Sequence, residues 1–209
     1  MKRNPMWVTA LGLALSMATA SLATAGGSKL SIGLGQGTAD GYSSTTVGAG
    51  SYLAPTAAPE INAGVEYWYA FNDDYAFALS GAYGFSSMKW DGAASGDPQI
   101  KATGKSVKVR VGGDRIGKVG ERLTVFMGPG LEFWSGKQKL TVAGVGAESE
   151  SVKRFGVSGR IGGFMALTDK VSIMGQVGHT FGYATVTDGA KSTWLPSSFN
   201  ASWGLTFGL

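Results

Sequence analysis

Large apolar residues take every second place along most of this chain, and small or polar residues fill the places between. At the end, Phe199, Ala201, Trp203, Leu205, Phe207 and Leu209 alternate with Asn200, Ser202, Gly204, Thr206 and Gly208. A period of two is that of a β-strand with one apolar face. Seven earlier stretches share it: Leu30–Leu34, Ile61–Phe71, Tyr75–Phe85, Val107–Val111, Leu123–Phe133, Phe155–Leu167 and Val171–Tyr183. The pattern predicts eight strands. Ile61–Phe71, like several others, is about twice the 5–6 residues usual in soluble proteins, and matches the roughly 9–11 that cross a bilayer at a tilt.

The connections alternate in length. Asn72–Asp74 and Thr168–Lys170 are tight-turn sequences, and a longer turn is expected over Gly113–Arg122. Ser43–Pro59, Asp91–Gly104, Ser135–Ser151 and Thr185–Pro196 are rich in Gly, Ser, Ala and Thr and read as long loops, although Leu140, Val142 and Val145 in the third alternate enough to extend its hairpin above the membrane. Units begin at Ile61, Lys105, Val152 and Ser197, an interval near that of propeller blades. Each unit holds two long strands rather than four short ones, so it is a hairpin and not a blade.

Charge separates the two strand faces. The apolar-face positions carry no Asp, Glu, Lys or Arg, and their one ionisable group is His179; Glu66, Lys108, Arg110, Glu132, Arg154 and Arg160 fall on the other face. A lipid-facing Lys or Arg at mid-membrane costs about 2–4 kcal/mol, so a barrel needs this division. A soluble sandwich would show it too. Strand length and aromatic placement favour the membrane. Tyr69, Phe71, Tyr75 and Phe77 flank the first tight turn as an aromatic girdle would, and Tyr83, Phe85, Phe133, Trp134, Phe181, Tyr183 and Phe199 lie near the loop ends.

The N-terminus adds an address. Lys2 and Arg3 precede an apolar run from Trp7 to Ala18, and two A-x-A sites follow, at Ala18–Ala20 and Ala23–Ala25. Residues 1–25 are therefore expected to be a cleaved signal peptide, and 26–209 the barrel. Removing Lys2 and Arg3 lowers the formal charge of +4 to +2, too little to argue for a nucleic-acid partner. With no cysteine there is no disulfide framework, and charged residues make up only 15% against about 25% on average.

Together these features resemble the small bacterial outer-membrane β-barrel family of the OmpA-barrel and OmpX kind. The resemblance implies an all-β, eight-stranded antiparallel up-and-down transmembrane barrel in the outer membrane, with both mature termini periplasmic. It implies contact with outer-membrane lipid and lipopolysaccharide. It also implies a terminal strand (Trp203, Leu205, Phe207, Leu209) read by the barrel-assembly machinery, although the family's usual final aromatic is here Leu209, with Phe207 two places earlier. No periplasmic peptidoglycan-binding domain is expected after the last strand.

Eight strands leave an interior that side chains can fill. Glu66, Lys108, Arg110, Glu132 and Arg160 are expected to pair there as a charge network, because a buried unpaired charge is expensive. A narrow pore is the alternative, and the excess of Arg and Lys over Glu would make it prefer anions. No catalytic, cofactor or metal constellation emerges. A single histidine excludes multi-histidine metal sites, and "HTF" puts Phe181 where a lipid-deacylating barrel of related type would carry serine two places after its histidine. Gly33–Gly37 lacks the Lys-Ser/Thr of a phosphate loop. The expected role is structural or surface-interacting through the long loops, where Lys137, Lys139, Glu148, Glu150, Trp194 and Leu195 are the candidates for an unknown ligand. A channel and a lipid-modifying enzyme are the rivals.

Overall fold

The computed structural model describes residues 27–40, 44–47, 50–53, 57–90, 100–142, 145–186 and 197–209. The expected signal segment and Trp194–Leu195 lie outside these residues. Among the described residues there are ten strands: β1 (Ser28–Asp40), β2 (Ser44–Val47), β3 (Gly50–Leu53), β4 (Ala57–Ala70), β5 (Tyr75–Trp90), β6 (Ile100–Val119), β7 (Leu123–Val142), β8 (Val145–Ala166), β9 (Val171–Val186) and β10 (Ser197–Gly208). Eight of them close into an antiparallel barrel, each pairing with its neighbour in sequence and β10 returning to β1; β2 and β3 form a separate two-stranded sheet. Closure leaves no free sheet edge, which hydrocarbon could not satisfy.

The alternation read from the sequence becomes the two faces of the wall. Ile32, Leu34, Val111, Leu131, Val157, Ile173, Trp203 and Leu205 point outward and stay exposed, whereas Ser31, Glu66, Arg110, Ser158 and Thr206 point inward and are buried. Apolar outside and polar inside is the reverse of a soluble protein, and it is what lipid requires.

Tight turns gather at one end. Asn72 Oδ1 accepts from the backbone N–H groups of Asp74 and Tyr75, both at 2.9 Å, and Thr168 Oγ1 does the same for Lys170 and Val171. These side-chain acceptors replace the ladder partners lost at the reversal. The third turn is shorter than the sequence implied. Only Gly120–Arg122 lie between β6 and β7, with Gly120 at a φ of 71° that disfavours other residues. The segment assigned to a turn from Gly113 is thus mostly strand. The start of β1 and the last residue, Leu209, lie beside the turns: Leu209 N–H donates to Ser28 O at 3.0 Å, and Ala70 N–H to Gly27 O at 3.1 Å.

At the other end the strands outrun the expected loops. β7 and β8 run on through Ser135–Ser151 as the hairpin that the alternation of Leu140, Val142 and Val145 implied, paired as far as Val142–Val145. Part of Ser43–Pro59 forms β2 and β3, and Ile100–Gly104 belong to β6. The ladders are interrupted in places, among them a register shift between Thr141 and Val142 in the β7–β8 pairing. Pairing between β6 and β7 lapses after Gly112–Gly130 and resumes at Arg115–Met127, beside Pro129, which has no N–H to give.

Candidate functional site

The lumen collects the ionisable groups, and strand parity puts them there. Near the turns it is apolar. Trp68 from β4, Phe126 from β7 and Phe164 from β8 fill the cross-section with Ala76, Ala78 and Met174. Trp68 meets Phe126 and Phe164 edge to face at centroid distances of 4.6 and 4.9 Å, a favoured aromatic geometry. Lys29 lies over Phe164, 4.6 Å from its centroid. This plug went unread because an inward apolar residue breaks the apolar-out pattern.

Arg160 of β8 sits on the plug, 4.8 Å from the Trp68 ring centroid and 5.2 Å from that of Phe126. Its guanidinium divides between two carboxylates. Nε and Nη2 donate to Asp114 Oδ1 and Oδ2 at 3.0 and 2.5 Å, a two-pronged grip. Nη1 donates to both Glu66 oxygens at 2.8 Å and to Gln176 Oε1 at 2.9 Å. Trp68 Nε1 also donates to Glu66. Strands β4, β6, β8 and β9 are thereby tied together across the lumen.

Above this layer, Arg110 Nε donates to Ser158 Oγ at 3.1 Å, with Nη2 4.0 Å from Asp114 Oδ1. Gly130 makes room for it: a Cβ there would lie 2.7 Å from Arg110 Cζ. Glu132 feels the charges of Lys108 and Arg110, while Lys108 bridges to Glu60 Oε1 at 2.6 Å and Ser106 Oγ donates to Glu60 Oε2 at 2.9 Å. Trp134, expected in the loop-end girdle, instead points inward, with Arg154 4.7 Å above its ring.

The five residues marked for an interior network, Glu66, Lys108, Arg110, Glu132 and Arg160, all line one lumen cavity of about 100 Å³. Two carboxylates outside these five join the network: Arg160 takes Asp114 as well as Glu66, and Lys108 takes Glu60. Asp114 was hidden in the supposed turn, and Glu60 at the edge of a supposed loop. With both included, the carboxylates Glu60, Glu66, Asp114 and Glu132 face the cations Lys108, Arg110, Arg154 and Arg160 through the central lumen. Four carboxylates thus face four cations there and offset the cationic excess expected of the central lumen, while Lys29 lies apart beside the plug near the turns.

On the outer wall, Phe71 and Tyr75 are exposed beside the first turn, Tyr69 stacks edge to face on Phe71 at 5.4 Å, and Phe77 shares their face. His179 packs on Phe181 with ring centroids 4.2 Å apart. It borders an open apolar groove of about 590 Å³ over Pro129, Gly159 and Ile161. Thr180 between them is buried on the lumen side. No group of three His, Cys, Asp or Glu suited to a metal occurs among the described residues.

No protein-family model and no curated protein matches the sequence. Solved structures do match the fold. OprG, an outer membrane protein of Pseudomonas aeruginosa, superposes with a TM-score of 0.56 at 15% identity, over 88% of this chain and 96% of that one. Ail, the attachment invasion locus protein of Yersinia pestis, gives 0.51 at 17% identity, over 89% of this chain and all of that one. In its fold, this chain is a closed, eight-stranded antiparallel β-barrel like those of these small bacterial outer-membrane proteins.

Proposed function

We propose that the protein is a closed-lumen outer-membrane barrel whose role is structural or surface-interacting through its loop end, rather than a channel or an enzyme. One observation carries the reading: the lumen is blocked twice over, by the Trp68–Phe126–Phe164 plug and by Arg160 spanning from Glu66 to Asp114. An ion crossing the barrel would have to displace both. In this reading residues 1–25 are removed on export, both mature termini face the periplasm, and Trp203, Leu205, Phe207 and Leu209 form the strand that the assembly machinery engages.

Planar-bilayer recording of the refolded protein tests the proposal. Steady conductance should be near the baseline of the lipid alone. Large, long-lived openings would overturn the closed lumen and favour the channel. With four carboxylates facing four cations through the central lumen, marked anion selectivity is not expected.

A further inference from the structure

Two buried donors on the loop side of the plug find no partner. Arg110 is 8% exposed and Trp134 6%, and among the described residues Arg110 Nη1 and Trp134 Nε1 make no hydrogen bond. A buried donor left unmade is expensive, and more so when it is charged. Strand register sharpens the first case. Glu132 lies directly opposite Arg110, where Cα atoms are about 4.5–5.5 Å apart, yet the two are not in salt-bridge contact. Arg110 leans toward the turns instead. Its Nε donates to Ser158 Oγ and its Nη2 to Gly128 O at 3.4 Å. Its guanidinium lies over Gly112 and Gly130, where an added Cβ would come within 2.8 and 2.7 Å of it. This lean separates the two charges, and both residues line the cavity of about 100 Å³.

The second donor stands one step nearer the loops. Trp134 follows Glu132 on the inner face of β7 and lines a smaller pocket of about 20 Å³. Glu132 and Lys108 wall both spaces, so the carboxylate stands at their junction. Size and chemistry then select the ligand. A water occupies about 30 Å³ of liquid, fits a cavity of about 10–15 Å³ or more, and needs two to four polar partners. Both spaces are large enough, and Asn62, Ser80, Asn200 and Ser202 add donors and acceptors around the larger one. An anion fits less well. Lys108 already meets Glu60, Arg160 meets Glu66 and Asp114, and Arg110 faces Glu132. Each cation of the cavity wall therefore has its carboxylate, and a neutral ligand suits the site better than a charged one.

We propose that these two spaces bind a small cluster of buried waters, with Glu132 as their shared acceptor. One water bridges Arg110 Nη1 to Glu132, and another bridges Trp134 Nε1 to the same carboxylate from the smaller pocket. Arg110 and Glu132 thus form a water-separated ion pair, whereas Arg160 grips Asp114 directly. The lumen is hydrated on the loop side of Arg160 and dry at the plug beneath it.

Filling the larger space gives a test with a sign. Ser202→Val adds apolar volume there, in the full chain refolded in phosphatidylcholine vesicles. If waters solvate the charges, the new methyl groups expel them and leave Arg110 and Glu132 unsolvated, so the urea midpoint should fall by about 1 M. A dry space would instead gain packing, and the midpoint would hold or rise; either result would overturn the proposal. Ser202→Thr matches valine in volume but puts a hydroxyl where water was displaced, and its fall should be less than half as large. Equal falls would mean crowding alone, and would also overturn it. Ser80→Val and Ser80→Thr, opposite Arg110 on β5, repeat the comparison if the Ser202 variants fail to refold. Crystals of the wild type give the direct view. Water density within hydrogen-bond distance of both Arg110 Nη1 and Glu132 supports the proposal. Direct contact between those side chains refutes it, as does an anomalous peak between them after a bromide soak, which would assign the space to an anion. Bilayer conductance reports separately on the closed lumen.

Discussion

Asp114→Asn removes one negative charge from beside two guanidinium groups while keeping the shape of the side chain. Asp114 is almost wholly inaccessible; it receives both prongs of Arg160 and lies 4.0 Å from Arg110. Breaking one side of a buried pair typically costs about 3–5 kcal/mol, because the other side is left charged and uncompensated. Arg160 keeps Glu66, and asparagine keeps one acceptor, so the expected loss is near the lower end, about 3 kcal/mol. With a urea dependence of about 1–3 kcal/mol per molar, the unfolding midpoint should fall by about 1–3 M. Glu132→Gln is the comparator. Lys108 retains Glu60 and Arg110 retains Ser158, so its loss should be about 1 kcal/mol. Urea titration of barrels refolded in vesicles, followed by tryptophan fluorescence, measures both. A double-mutant cycle with Arg160→Gln should return a coupling of at least 1 kcal/mol. If Asp114→Asn matches wild type, or Glu132→Gln proves the more damaging, the pairing scheme is wrong.

Two further expectations concern the wall and the plug. Leu205 is 45% exposed on the outer face and Thr206 1% exposed inside; Leu205→Arg should cost about 2–4 kcal/mol in vesicles and little in detergent. Thr206→Val should cost about 1 kcal/mol by breaking the 2.8 Å hydrogen bond with Ser31. Thr206→Lys, which the sequence pattern alone would tolerate as an inward charge, should fold poorly because the site is filled. Phe126→Ala should destabilise by about 3–5 kcal/mol and leave a hole in the plug. Any rise in bilayer noise it causes should be larger when combined with Asp114→Asn than for either alone. Additive or absent effects would mean that the two layers do not close the lumen together.

The barrel was legible because lipid imposes one rule on every strand, and the rule has a period of two. It failed where the lumen stops being polar. From Gly113 to Val119 the outward residues are Gly113, Arg115, Gly117 and Val119, while Ile116 packs inward against the plug. Apolar and polar have nearly exchanged faces there, so the segment read as a turn and took Asp114 with it. Trp134 was misplaced for the same reason, since an aromatic near a strand end looks like a girdle residue whichever way it points. Glu60 follows Pro59, and the proline suggested that the strand had not begun. Interior pairing was less accessible still, because partners such as Glu66 and Arg160 lie 94 residues apart and depend on barrel stagger.

The closing seam has a kinetic consequence. The hydrogen bond between Ser31 and Thr206 joins positions 175 apart, and the β1–β10 ladder around it extends from Lys29–Gly208 to Ala39–Ser198. Contacts of such separation return free energy only after loop-closure entropy has been spent on the whole intervening chain. Until then β1 and β10 expose two rows of unpaired backbone groups, each intolerable in hydrocarbon. A half-inserted sheet therefore has no resting place on the route to the membrane. Folding and insertion must finish as one event, and an intermediate that stalls before the seam closes offers its open edges to any other strand nearby.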